Sequence, residues 1–149
     1  MADIKLITTV TGEYTIGFEN GDFILDQGFE TSILLSLLLD ARATDDRVLV
    51  PENRRGWMGD VASKVDGRTF GSLLWLVDQR VLNTETLNDS INFAQLANNW
   101  FLEDGVAKAI AVTGSIIPSA GIRLEIAITS DSGNTTNHYV NLWEVTGVT

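Results

Sequence analysis

The chain has 149 residues, no cysteine, and a formal net charge of −10 from 10 Lys+Arg against 20 Asp+Glu. That length suits a single domain around one core, and the missing cysteines exclude disulfides, thiolate metal sites and cysteine nucleophiles. The acidity repels phosphate backbones and anionic headgroups, so neither nucleic acid nor a membrane is an expected partner.

The amino terminus lacks the basic-then-apolar pattern of a secretion signal. The longest apolar run, Ile33 to Leu39 with one serine, is far short of the roughly 20 residues that span a bilayer. The expectation is a soluble protein, and the lack of cysteine suits synthesis in a reducing cytoplasm.

Residues 1–29 form a first segment, an extended arm or hairpin punctuated by Gly12, Gly17, Gly21 and Gly28. Ile4, Leu6, Val10, Tyr14, Ile16, Phe18, Phe23 and Leu25 alternate with polar residues as in short strands. Asn20-Gly21 is a two-residue hairpin signal. Such a segment either pairs within its own chain or docks on a neighbouring subunit.

Residues 30–149 read as a single α+β domain. Glu30 to Ala43 is predicted to be a helix, with Ser32, Ser36 and Asp40 in one polar stripe and leucines and Ile33 over the rest. A helix that apolar is expected to be surrounded by protein, either as the domain's central helix or beneath a partner, including a second copy of the chain. Ser72 to Gln79 or Arg80 is a second, short helix with Ser72 as its cap. A third begins at Thr84 or Thr86 and runs to about Leu102, with Thr86 and Asp89 approximating a capping box. Leu87, Ile91, Ala94, Ala97 and Phe101 lie along its buried face, widened by Phe93, Leu96 and Trp100.

Gly105 closes that helix, and the period then changes to two. Val106 to Ile117, Ile122 to Ser130 and Tyr139 to Val145 are predicted strands of an antiparallel meander. Ile122, Leu124, Ile126 and Ile128 should face the core. The expected architecture is three helices packed on a C-terminal three-stranded antiparallel sheet, preceded by the extended or hairpin segment.

Between the first two helices lies a polar stretch without periodicity, and long ordered loops in small domains tend to be functional. It contains Arg54-Arg55-Gly56-Trp57-Met58-Gly59-Asp60. Two alternatives stand for it. Trp57, Arg54 and Arg55 contact another subunit, as Trp and Arg favour; or an arginine pairs with Asp60 inside the monomer while Trp57 fills a hole.

The sequence resembles a family of small baseplate proteins of Mu-like contractile-tail phages. The resemblance is carried by the Arg55 to Asp60 loop, the Gly71-Ser72-Leu73-Leu74-Trp75-Leu76 block and the Glu103-Asp104-Gly105 turn, in that order. Met58 departs from it, standing where a second aromatic is expected. The resemblance implies a structural part of the virion tail baseplate, related to wedge or sheath-initiator proteins and made in the host cytoplasm. Its partners would be other baseplate proteins and sheath or tube subunits, met partly by strand-edge pairing. Arg54, Arg55, Trp57, Asp60, Glu103 and Asp104 are then the candidate assembly residues.

No catalytic, cofactor-binding or metal-binding residue is assigned. The single histidine, His138, sits in a polar Thr-Asn-His-Tyr context and reads as a surface residue. Asp131-Ser132-Gly133-Asn134 is too short for an EF-hand loop. The enzymatic alternative is a lysozyme-like glycoside hydrolase using two of Glu52, Asp60, Glu103 and Asp104. A third reading is a soluble adaptor domain outside any phage.

Overall fold

The computed structural model describes residues 3–11, 13–26, 28–63, 67–78, 80–118 and 121–142. The chain divides into two compact units, the first ending at Leu35 and the second beginning at Ser36.

The first unit is built from three small antiparallel pairings. They join β1 (Asp3–Ile4) to β6 (Leu25–Asp26), β2 (Leu6–Thr8) to β3 (Tyr14–Ile16), and β4 (Phe18–Glu19) to β5 (Asp22–Phe23). Asn20 and Gly21 both take positive φ, +52° and +83°, which is the geometry a two-residue hairpin turn requires. The pairings close on themselves through Lys5 and Gly17: Lys5 N donates to Ile24 O, Gly17 N to Lys5 O and Ile24 N to Gly17 O, at 2.8–2.9 Å. Gly17 is buried, and a Cβ there would meet Ile24 and Ile7 side chains at 3.1–3.2 Å. The predicted extended segment is therefore several small hairpins, held together by a glycine at their crossing.

Asp26 joins these strands to the start of α1 (Glu30–Leu38). Its Oδ1 accepts from Gly28 N at 2.9 Å and its Oδ2 from Thr31 N at 2.7 Å. A carboxylate thus serves a free N–H group of the first turn, at Thr31, and one just before it, at Gly28. Burial pushes the Asp26 carboxyl up, but the hydrogen bonds from Thr31 and Gly28 outweigh it and hold it below its ordinary value.

α1 ends at Leu38, five residues before the predicted Ala43. Beyond it the backbone turns to tertiary partners: Ser72 N donates to Leu39 O at 2.8 Å and Ala41 N to Ser72 O at 2.9 Å, a parallel bridge between Asp40 and Ser72. Asp40 is therefore not on the helix. Nor is α1 covered all round, because Ile33, Leu34 and Leu37 are buried while Leu35 and Leu38 are exposed. Ser36, placed by its spacing in a polar stripe, is wholly buried and accepts from Trp100 Nε1 at 2.9 Å.

The predicted second helix is a single 3-10 turn, Leu74–Leu76. Ser72 spends its hydroxyl on two jobs, donating to Leu37 O at 2.6 Å and accepting from Leu74 N at 3.3 Å. Among the described residues two α-helices of length stand where three were expected. The other is α2 (Thr84–Asn98), continued by a separate turn at Trp100–Glu103.

Asn83 caps α2, accepting from Thr86 N at 2.8 Å. Thr86 lies three residues inside, buried, with its hydroxyl donating to Val81 O, and Asp89 pairs with Arg80, so the predicted capping box does not form. The buried stripe is Thr86, Ser90, Phe93, Ala94, Ala97 and Asn98, while Leu96 is exposed. Leu87 and Ile91 approach Gly114 instead: a Cβ at Gly114 would meet them at 3.1–3.2 Å. A glycine in that strand lets the helix lie close to the sheet.

Gly105 takes the left-handed conformation, φ +68°, and the chain enters a three-stranded antiparallel sheet of order β7-β8-β9. Its strands are Ala109–Ile117, Gly121–Thr129 and Thr135–Leu142. Ile122, Leu124, Ile126 and Ile128 of β8 are buried as their alternation requires, each contributing about 1.5–3 kcal/mol of transfer free energy. β9 begins four residues before the predicted Tyr139, since the Ser130 to Asn134 turn is tight: Ser130 N donates to Asn134 O at 2.9 Å. Residues 143–145 of the predicted strand and Gln79 at the end of the predicted helix lie outside the described residues.

Candidate functional site

The loop after α1 is tied down by its arginines, each with a different set of partners. Arg54 donates from Nε to Val48 O at 2.7 Å and from Nη2 to Leu49 O at 3.2 Å, while its own carbonyl accepts from Ala43 N at 2.9 Å. Arg55 takes φ +52° and Gly56 φ +122°, so the chain reverses sharply there. A side chain is rare in that region. Arg55 is held in it by Arg42, whose Nη1 donates to Arg55 O at 3.1 Å, and by Asp40, whose Oδ2 lies 2.8 Å from Arg55 Nη1. The Arg55 guanidinium also stands 4.6 Å from the Trp75 ring, and Trp75 Nε1 donates to Ala41 O at 2.9 Å.

The expected intramonomer partner, Asp60, is not the one used. Arg55 reaches Asp40, and Asp60 Oδ1 accepts from Phe70 N at 2.8 Å. Being half exposed, the Arg55–Asp40 pair adds little by itself. What fixes the loop is the convergence of ion pair, cation–π contact and backbone hydrogen bonds on residues 39–43.

That leaves Trp57 free of the arginines. Its indole lies over Gly59, where a Cβ would fall 2.2–2.4 Å from ring atoms, and its ring centroid is 5.5 Å from that of Phe70. Phe70 in turn is 6.2 Å from Trp100, and Trp100 stacks at 3.9 Å on the buried Phe101. A row of rings thus runs from the surface into the core.

Trp57, Phe70 and Trp100 line a cleft of about 440 Å³ with Gly59, Asp60 and Arg68. A second, of about 330 Å³, shares Arg68, Thr69 and Trp100 with it and adds Leu96 and Glu103. Arg68 closes the joint between them. Its Nη1 donates to Asp104 Oδ1 at 2.9 Å and its Nη2 stands 3.7 Å from Glu103 Oε2, too far for a hydrogen bond. The bond donated to Asp104 outweighs partial desolvation and raises the guanidinium above its already high ordinary value, so Arg68 is a fixed positive charge. Met58 and Val61, next in sequence to the lining residues Trp57, Asp60 and Ala62, are almost fully exposed.

The structure thus brings Trp57 and Asp60 to one cleft and Glu103 to the adjoining one, with Arg68 lining both and holding Asp104. It assigns Arg54 and Arg55 to the loop's own framework. Arg68, Phe70 and Trp100 are the residues that sequence reasoning missed, since Arg68-Thr69-Phe70 carries no periodicity and Trp100 reads as the widening of a helix face. Among the described residues no group of three or more His, Cys, Asp or Glu could hold a metal ion. His138 lies in β9 with Nε2 3.3 Å from Thr136 Oγ1. No helix among them is long and apolar enough to cross a membrane.

The sequence profile of a family described as phage protein GP46 matches residues 29–135. A protein of Haemophilus influenzae named Mu-like prophage FluMu protein gp46 is 33% identical over 135 residues, covering 91% of this chain and 92% of its own. Baseplate protein gp46 of Escherichia phage Mu is 31% identical over 136 residues, covering 90% and 91%.

Proposed function

The chain belongs to the GP46 family of phage proteins, and from that premise we propose that it is a structural component of a phage tail baseplate, acting through protein contacts and transforming no substrate. The likeness to the phage Mu baseplate protein across nine-tenths of both chains carries this reading. Its place is the baseplate of a contractile tail, in a wedge or sheath-initiator position, after synthesis in the host cytoplasm. Its partners are other baseplate proteins and sheath or tube subunits.

Two surfaces suit that role. One is the Trp57 cleft, where exposed Trp57 lines the 440 Å³ recess and exposed Met58 and Val61 are sequence neighbours of its lining residues; an aromatic anchor beside a recess is how protein interfaces concentrate binding energy. Asp60 and Arg68 are the charged residues among its described lining, and Glu103 and Asp104 flank Arg68 from the side of the adjoining recess. The other is the outer edge of β9, which among the described residues pairs on one side only. β7 is also an edge strand, but α2 stoppers it: Val112 N donates to Gln95 Oε1 at 3.2 Å. An edge N–H already bonded cannot receive a second strand there, so β9 is the edge for strand addition.

The hydrolase alternative has no such support. Glu103 and Asp104 converge on one guanidinium, whereas glycoside hydrolysis requires two carboxyls on opposite sides of the bond to be cleaved.

Replacing Trp57 by Ala together with Met58 by Ser tests the cleft, because both side chains are exposed. The far-UV circular dichroism should be unchanged while incorporation into tails is lost. Tails that carry the variant at the normal level would refute the role of the cleft. Clearing of peptidoglycan by homogeneous wild-type protein, abolished by Glu103→Gln, would refute the structural reading itself.

A further inference from the structure

The first unit presents a surface that the cleft and the β9 edge do not account for. The pairings Ile4↔Leu25, Leu6↔Ile16 and Phe18↔Phe23 put these six side chains on one side of the strands, because residues opposite each other in a ladder, and alternate residues along a strand, share a face. Tyr14, two positions from Ile16, belongs to the same side. Gly17, Ile7 and Ile24 occupy the other and close on each other there.

The side that carries most of the apolar side chains is the exposed one. Phe18 keeps 62% of its surface, Ile16 51%, Leu25 50% and Phe23 49%, and the two phenylalanine rings meet edge to face at 5.4 Å. Single exposed apolar residues need no explanation. A contiguous set of six or seven on strands of two or three residues does.

Charge decides what fits it. Residues 1–35 hold six carboxylates, at positions 3, 13, 19, 22, 26 and 30, against Lys5 alone, a formal −5. Glu19 and Asp22 flank the Asn20-Gly21 turn next to the phenylalanine pair, and Lys5 is already engaged by Glu30 at 3.3 Å. A second copy would bring the same negative rim against this one, and an anionic bilayer would be repelled likewise.

We propose that this face is a docking surface for a different subunit of the same assembly, one that offers an apolar patch rimmed by Lys and Arg. The inference rests on the baseplate reading for the identity of the assembly and on the register and charge of the first unit for the surface. Apolar contact supplies the attraction, and the acidic rim selects the partner and makes association salt-dependent.

The test uses the full chain and its Phe18→Ser/Phe23→Ser variant, each presented at low and high salt to the other tail proteins of the same particle, purified singly. One subunit should bind the wild type, more weakly as salt rises, and the variant should lose at least tenfold. Glu19→Lys/Asp22→Lys, which leaves the rings in place, should also weaken binding and flatten its salt dependence. Amide exchange at Gly17 and Ile24 checks that both variants keep the hairpins. Equal binding by the serine variant, binding to no subunit, self-association that the variant abolishes, or flotation with phosphatidylcholine vesicles would each overturn the proposal. Failure of the baseplate reading looks different: wild-type protein would then be missing from purified tails, whereas equal incorporation of wild type and serine variant sinks this inference alone.

Discussion

Gly71→Ala tests whether the bridge between residues 39–41 and Ser72 positions the candidate loop. Gly71 has φ +104°, and a Cβ would stand 2.5 Å from Leu39 O, 2.9 Å from Leu39 C and 3.0 Å from Ala41 N, all backbone atoms. The backbone conformation alone costs a residue with a side chain about 1–3 kcal/mol. Relieving the overlap means pushing Leu39 O away from Ser72 N, which weakens a hydrogen bond between buried segments by about 0.5–1.5 kcal/mol. A lower unfolded-state entropy returns about 0.4–1 kcal/mol. The net expectation is a loss of about 2 kcal/mol at the centre of these ranges, or roughly 4–8 °C in Tm at about 2–4 °C per kcal/mol for a chain of this size. Gly133→Ala is the control, since its φ is +87° but nothing lies within 4 Å of the added Cβ. It should show the backbone cost alone. Thermal and urea unfolding of both variants give the comparison, and a Gly71→Ala loss equal to or below that of Gly133→Ala would refute the argument from close approach.

Gly59→Ala should behave differently, because the atoms nearest its added Cβ belong to the Trp57 ring, a side chain that can swing out rather than backbone. Stability should change by less than about 1 kcal/mol, while tryptophan emission shifts to the red and incorporation into tails drops; an unchanged spectrum would show that the indole does not lie over Gly59. Asp26 should make the start of α1 acid-sensitive. Its folded value lies below the ordinary 3.8, so its contribution is fully present above that pH and drains away as pH falls through the lower folded value. Amide exchange at Gly28 and Thr31 should accelerate over that range, and in Asp26→Asn it should be fast throughout and independent of pH once intrinsic exchange is divided out. Equal protection in the variant would refute the capping role.

Much of the fold was legible because it depends on neighbours in sequence. Alternation along β8 needs only a strand with one dry side, the Asn20-Gly21 turn only two residues that tolerate positive φ, and the stop at Gly105 only a residue without a Cβ. What failed depends on which distant group arrives. Ser36 and Ser72 look like surface or capping serines until Trp100 and Leu37 O stand opposite them. α1 looks as long as its leucines until the Leu39 carbonyl finds Ser72 N at 2.8 Å rather than a helical donor.

The candidate site divides the same way. Sequence singled out the Arg54 to Asp60 loop by its composition, and family motifs tied it to Glu103-Asp104. Only the tertiary structure decided that Arg55 goes to Asp40, that Arg68 joins the two motifs, and that Trp57 is left to line a cleft with Phe70 and Trp100. Periodicity and turn chemistry are properties of a local stretch, so the sequence alone determined them. A charge or an indole has several partners of suitable chemistry in a chain with 20 acidic residues, and folding chooses among them by distance.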